Sequence, residues 1–173
     1  MTPERNLADR RLLVEPVTPD AFAPFGTVIS ASADGDVFGP RDARLHLDAG
    51  TPRFYVMQLQ RRPFRFERIT RHRNVTQCLA SNDGSPWLLA VAPPGDADDP
   101  NAEPALDDIR GFCIPGGVAV ALHRGTWHAG PYFEQETLGF FNLELADTNA
   151  VDHQNSDLVA RFGHAAELVM SPV

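Results

Sequence analysis

The sequence predicts a mainly β protein, an antiparallel sandwich or barrel with a few short helices, and three observations carry that prediction. Short apolar or alternating runs recur along the chain with turn residues between them. Helical periodicity over a long window is absent until roughly the last fifteen residues. The 15 prolines and 13 glycines are spread along 173 residues rather than pooled in one tract, as frequent turns between short strands require. No shift of composition is sharp enough to divide the chain, so residues 1–173 are read as one domain.

Each element follows from its local pattern. Leu12 to Val17 reads as a short strand, and Thr18-Pro19-Asp20-Ala21-Phe22 as a helical turn with Thr18 as N-cap and Pro19 at the first helical position. Phe25 to Ile29 begins a second strand around a glycine. From Ser30 to Pro52 the chain is rich in Gly, Asp, Ala and Arg with little periodicity, an irregular excursion with room for one short strand near Leu45-His46-Leu47. Phe54 to Leu59 is β-prone, and Phe64 to Ile69 largely alternates apolar with charged, as a strand with one buried face does. Trp87 to Ala92 is a continuous apolar run stopped by Pro93-Pro94-Gly95, hence a buried strand, and the acidic stretch Asp96 to Pro104 is a surface loop. Val118 to Leu122 and Phe140 to Leu145 supply further strands, and a turn of helix is expected near Asp157 to Phe162. In the late strand, alternation separates Phe141, Leu143 and Leu145 from Phe140, Asn142 and Glu144. The apolar set suits packing between sheets. The mixed set is expected toward solvent, with a polar cavity as the alternative.

Composition excludes several functions. With 15 basic against 23 acidic residues the formal net charge is -8, which repels phosphate backbones and makes nucleic acid a poor partner. Arg61, Arg62, Arg65, Arg68, Arg71 and Arg73 are nevertheless clustered, either as a solvated face or with one or two of them meeting an anionic substrate. Cys78 and Cys113 have no CxxC spacing and read as buried free thiols. Residues Met1 to Arg11 carry charges throughout, and no run approaches the ~20 apolar residues that cross a bilayer. A cytoplasmic protein without membrane contact is expected.

The chemistry lies in two segments. Gly117 opens a run of small and apolar residues, a tight turn at Gly125 follows, and His128 stands where the next strand begins. Upstream, Arg71-His72-Arg73-Asn74-Val75-Thr76-Gln77 precedes Gly84. Both segments resemble the paired motifs of the cupin superfamily. The second motif, G-x5-P-x-G-x2-H-x3-N, is matched at Gly117, Gly125 and His128, with His123 in place of the proline and Tyr132 in place of the asparagine. The first keeps His72, has Asn74 where a second histidine stands, and has Gln77 near the usual glutamate. The implied fold is a cupin-type double-stranded β-helix, a jelly-roll barrel. Its metal site is reduced: His72, Gln77 and His128 would ligate a divalent metal ion if one binds, but two imidazoles and an amide make a poor cage, and no cofactor is assigned. His123 is placed to bond backbone at the turn. His46, His153 and His164 have no supporting pattern.

More specifically, the chain resembles the ureidoglycolate lyases, formerly called ureidoglycolate hydrolases. The likeness runs from Pro16, Ala21-Phe22, Phe25-Gly26 and Val28-Ile29, through Arg71-His72 with Gln77, and Val91-Ala92-Pro93-Pro94-Gly95-Asp96, to His123-Arg124-Gly125-Thr126-Trp127-His128. It departs at Ala129, where many members carry a second histidine, and at Glu144-Leu145, where an Asp-Arg pair often stands. The resemblance implies cleavage of ureidoglycolate to glyoxylate and urea, a step of allantoin breakdown. His128 is then assigned as base, with His72 as its acid or hydrogen-bonding partner. Gln77 is expected to bind the urea or hydroxyl group, Arg71 and Arg124 the carboxylate, and Trp127 and Glu144 to complete the substrate contacts. The partner is a small anionic substrate, and a homodimer follows by analogy with other cupins. Alternatives are another cupin enzyme, such as a metal-dependent oxygenase or an isomerase, and a ligand-binding cupin without activity.

Overall fold

The computed structural model describes residues 8–172, and it is built from strands wherever the sequence alternates or runs apolar. The first strand, β1 (Arg10–Pro16), leads into a single helical turn, α1 (Pro19–Phe22), whose start is capped as expected by the Thr18 hydroxyl accepting from the Ala21 amide. There follow β2 (Gly26–Ile29), β3 (Pro52–Gln60), β4 (Arg65–Phe66), β5 (Arg68–Arg71), β6 (Gln77–Ser81) and β7 (Trp87–Ala92). The second half holds β8 (Arg110–Ile114), β9 (Ala119–Leu122), β10 (Trp127–Tyr132), β11 (Thr137–Leu145), α2 (Thr148–Val151), β12 (Gln154–Asp157), α3 (Leu158–Phe162) and β13 (Ala166–Val169).

The strands form two curled sheets. One has eight strands in the order β12-β5-β10-β7-β8-β1-β13-β4, and the other has five in the order β2-β9-β6-β11-β3. Most pairs are antiparallel, but β1 runs parallel to both β8 and β13. The expected barrel of the cupin type, mainly β with short helices, is therefore what the chain builds. Its interior holds Phe22, Phe25, Trp87, Phe112 and Phe140 in edge-on and tilted contacts. Every residue of β7 is buried, because its alternate side chains serve two clusters: Trp87, Leu89 and Val91 face the interior, while Leu88, Ala90 and Ala92 join Trp127, Ile69 and Leu158 behind the larger sheet.

Three local expectations change. Phe64 to Ile69 is not one strand; it breaks at Glu67 so that β4 pairs with β13 while β5 pairs with β10 and β12. Leu45-His46-Leu47 forms no strand, though His46 and Thr76 exchange bonds that pin the excursion to the start of β6. On β11 the faces are reversed: Phe140, Asn142 and Glu144 are buried and Phe141 is exposed. The mixed face could turn inward because its polar members meet polar partners from β3 and β6 there, so their burial leaves them hydrogen-bonded.

Candidate active site

The strand period places the two motif histidines on one side. His128 of β10 lies directly opposite Thr70 of β5, and His72 stands two residues beyond Thr70. Thr70, His72 and His128 therefore share the inner face, while Arg71 and Trp127, their chain neighbours, share the outer one. The glycine of the second motif secures the junction, the Gly125 amide donating to the His72 carbonyl at 2.7 Å with Gly125 in the left-handed region at φ 84°.

The inner face opens on a cavity of about 740 Å³ that contains His72, Gln77, His128, Tyr132, His153 and Arg62 in its lining. The rings of His72 and His128 are 5.1 Å apart between centroids, and His153 stands 5.6 Å from His72 on the other side. His72 Nδ1–H donates to the Asp152 carbonyl at 2.6 Å, and His128 Nδ1–H to the Thr126 carbonyl at 3.3 Å. A carbonyl only accepts, so each Nδ1 carries a proton and each Nε2 offers a lone pair. Burial holds both rings neutral. It is the main cause of the lowered His72 pKa, opposed by the Asp152 carbonyl and the nearby carboxylates. His128 is pushed down further, to about 3, by burial and then by His72 beside it.

Gln77 opens the facing sheet and lines the same cavity. Its Nε2 donates to Asn142 Oδ1 at 3.1 Å and Glu144 Oε2 at 3.4 Å. Glu144 Oε1 accepts from Tyr55 Oη at 3.0 Å, and Asn142 Nδ2 donates to that same hydroxyl at 3.2 Å. A carboxylate cannot donate, so Glu144 fixes which end of the amide faces it. Gln77 Oε1 is left buried with no partner. A buried acceptor without a donor is costly, and a ligand N–H or O–H is what it lacks.

The other expected contacts lie elsewhere. Arg71 does not reach the cavity: its guanidinium is fully buried and donates to Gln154 Oε1 and to the carbonyls of Pro94, Asp96 and Asp99. It stacks on Trp127, 4.7 Å from the ring, and Trp127 belongs to the packed core rather than to the cavity wall. Arg124 binds Asp98 and the Arg73 carbonyl beside a second, smaller hollow of about 400 Å³. Glu144 stands behind Gln77 instead of lining the cavity. Among the lining residues that escaped sequence reasoning are two polar ones from the last third of the chain. His153 comes from the turn before β12, where no period announces it, and Asn149 from α2. Arg62, Arg65 and Arg68 also line the cavity and belong to the clustered arginines. Arg65 is paired with Asp9 and Glu67, and Arg68 with Asp157, whereas Arg62 lies over the Tyr132 ring with no carboxylate partner among the described residues. Among those residues no three His, Cys, Asp or Glu side chains converge as a metal site.

The curled two-sheet barrel of the cupin type thus brings paired imidazoles and the Gln77 side chain to the lining of one cavity, the candidate site. Comparison with known proteins narrows the class: the profile of the Ureidoglycolate lyase family matches residues 9–161, and the chain belongs to that family. It is 32% identical over 132 residues to a ureidoglycolate lyase of Azotobacter vinelandii, covering 69% of this chain and 75% of that protein. A ureidoglycolate lyase of Pseudomonas syringae pv. tomato is 33% identical over 131 residues, covering 69% and 74%. One from Pseudomonas aeruginosa PAO1 is 32% identical over 132 residues with the same shares.

Proposed function

We propose that this chain is a ureidoglycolate lyase, cleaving ureidoglycolate to glyoxylate and urea. The family supports the substrate, and the observation that carries the chemistry is the pair of neutral imidazoles with Nε2 lone pairs facing one cavity. The reaction moves one proton. A base takes the carbinol hydroxyl proton, the oxygen electrons form the carbonyl of glyoxylate, the C–N bond breaks, and the departing nitrogen is protonated to give urea.

His72 suits the base better than His128, which reverses the order read from the sequence. Its Nδ1–H bond to the Asp152 carbonyl and the carboxylates of Asp152 and Glu144 favour the imidazolium that proton uptake creates. His128 lacks those carboxylates and pays the larger desolvation penalty, so it acts as a neutral hydrogen-bonding partner. The protonated His72 then returns its proton to the leaving nitrogen. Gln77 Oε1 accepts from the ureido N–H, and Arg62 is the substrate carboxylate's contact in place of Arg71 and Arg124. A divalent ion held by His72, Gln77 and His128 would meet only neutral donors, two imidazoles and one amide oxygen, a set without the anionic charge of a tight site. No step is assigned to one. The pathway of allantoin breakdown follows from this substrate.

The test is direct: purified protein given ureidoglycolate releases glyoxylate and urea in equal amounts, each measured by a coupled assay. A folded protein that releases neither overturns the reading.

A further inference from the structure

The cavity wall changes character beside Gln77. Among the described residues the five-stranded sheet gives the cavity three side chains, Gln77 and Leu79 from β6 and Met57 from β3. Gln77 and Leu79 are two positions apart, so they share a face and stand about 7 Å from one another along the strand. The register carries that face across the sheet: Leu79 lies opposite Asn142, Asn142 opposite Tyr55, and Met57 is the next residue of β3 on the same face. Leu79 belongs to the apolar cluster of the interior, and half-buried Met57 packs against that cluster. The polar members of the row are turned to one another: Asn142 bonds Gln77 and Tyr55, and Tyr55 bonds Glu144. Neither lines the cavity, and the Met57 sulfur accepts from Asn142 Nδ2 at 3.9 Å. Beyond Gln77, therefore, this wall presents apolar surface with no free hydrogen-bonding group.

Ureidoglycolate matches only part of it. The ureido group has one N–H on the scissile nitrogen and an outer NH2. Gln77 Oε1, the unpartnered acceptor, takes the first. The outer NH2 then lies toward Leu79 and Met57, where its donors find no acceptor, and leaving buried donors unmet is costly. An alkyl group in the same place gains from burial instead. Space is available as well, since a cavity of about 740 Å³ is of the size that holds drug-sized ligands.

We infer that the site also cleaves α-hydroxyglycines whose nitrogen carries an aliphatic acyl group, giving the primary amide and glyoxylate, a step that rests on the lyase reading and extends its substrate. Atoms balance as they do for ureidoglycolate. His72 takes the carbinol proton, the oxygen electrons form the aldehyde, the C–N electrons stay on nitrogen, and that nitrogen receives the proton from His72. Neither water nor an oxidant enters. The scissile N–H meets Gln77 Oε1 in both substrates, and the acyl chain runs over Leu79 toward Met57. A pocket that makes no hydrogen bond to the outer NH2 cannot strongly reject the compound in which a methyl group replaces it. Leu79 and Met57 are thus specificity-determining residues.

The test gives the full chain ureidoglycolate and the N-acetyl, N-butanoyl and N-hexanoyl α-hydroxyglycines near neutral pH, with glyoxylate measured above the rate without protein. Every compound is expected to be cleaved. From acetyl to hexanoyl kcat/KM should rise about tenfold or more, since each methylene laid on the apolar wall contributes roughly two- to fourfold. Cleavage of ureidoglycolate with none of the acyl compounds overturns the inference and leaves the lyase reading standing. Cleavage of the acyl compounds alone supports the acyl site and overturns ureidoglycolate as the substrate, and failure of every compound overturns both. A series that is flat or falls with chain length also overturns the inference. Met57→Gln, at a half-buried position, gives a second reading: the ratio of hexanoyl to ureidoglycolate kcat/KM should fall about tenfold. A folded Met57→Gln protein that keeps the wild-type ratio overturns the apolar wall as the acyl site.

Discussion

The imidazole of His72 donates through Nδ1 to the carbonyl of Asp152, 2.6 Å away and 80 positions further along the chain. The same Asp152 turns its carboxylate to the amides of Arg73 and Asn74, at 2.7 and 2.8 Å. One residue therefore fixes both the tautomer of His72 and the path of the chain that leaves it. This is a link between the end of β5 and the turn before β12 that makes His72 a held group rather than a freely rotating one.

Replacing His72 tests its role. His72→Ala is expected to lower kcat by roughly 10²-fold or more, the usual size of a general-base contribution. His128→Ala should lower kcat less and leave the acid limb of the kcat/KM profile where it was, since that limb belongs to His72. Because the His72 pKa is lowered by burial, the wild-type acid limb lies below the ordinary histidine value of 6.5. An acid limb that moves in His128→Ala while His72→Ala retains turnover would return the base to His128.

Stability should fall as pH falls. In the unfolded chain both imidazoles titrate near 6.5, whereas the folded protein keeps them neutral, His128 down to about 3. Below 6.5 the unfolded state therefore binds more protons than the native state. The stability from the neutral imidazoles is present above 6.5 and is lost progressively below it, by up to ~1.4 kcal/mol per pH unit for each histidine. Urea denaturation between about pH 7 and about pH 5 measures this slope. His128→Gln removes its share and should flatten the dependence; an unchanged slope would contradict the burial of a neutral His128.

Gln77 offers a test that separates binding from chemistry. Its unpartnered Oε1 is expected to accept from the ureido group, so Gln77→Met should weaken competitive inhibition by urea while leaving inhibition by glyoxylate close to wild type. The loss is about tenfold, the value of ~1.4 kcal/mol for one buried hydrogen bond. Equal weakening of both inhibitors would instead mean that the substitution has disturbed the cavity through Asn142 and Glu144.

Much of this architecture was legible in the residues. Period and turn chemistry located the β7 run, the Thr18 cap and the final helix, because these depend on neighbours along the chain. The resemblance to the paired cupin motifs, rather than period, pointed to His72 and His128, which the pairing of β5 with β10 brings to one face. The reversed face of β11 was not legible, since the polar partners that let Asn142 and Glu144 turn inward come from β3 and β6, and nothing local to β11 encodes them. His153 was hidden because its distance to His72 is set by how β12 pairs with β5, and nothing local encodes that.

The clustered arginines divide into an enclosed member, Arg71, and members on the cavity wall, Arg62 among them, and the consequences of that division are measurable. Arg71 is enclosed: its guanidinium is donor to three carbonyls and to Gln154, and it tethers the 94–99 loop to β5. Arg71→Met would leave these acceptors short of donors at ~1–3 kcal/mol for each one that water cannot reach. A loss of about 3 kcal/mol, and so a fall in Tm of roughly 6–12 °C, is expected for a protein of this size. Arg62 stands on the cavity wall over Tyr132 and makes no ion pair among the described residues, so Arg62→Ala should leave Tm within about a degree of wild type, as surface substitutions commonly do. It should raise KM about tenfold with a smaller change in kcat, the pattern of a lost ground-state contact to the substrate carboxylate. Arg62→Lys should recover only part of that loss, because an ammonium cannot make the two parallel bonds of a guanidinium. A thermally fragile Arg62→Ala, or an Arg71→Met protein of normal Tm and raised KM, would exchange the two assignments and return the substrate carboxylate to Arg71.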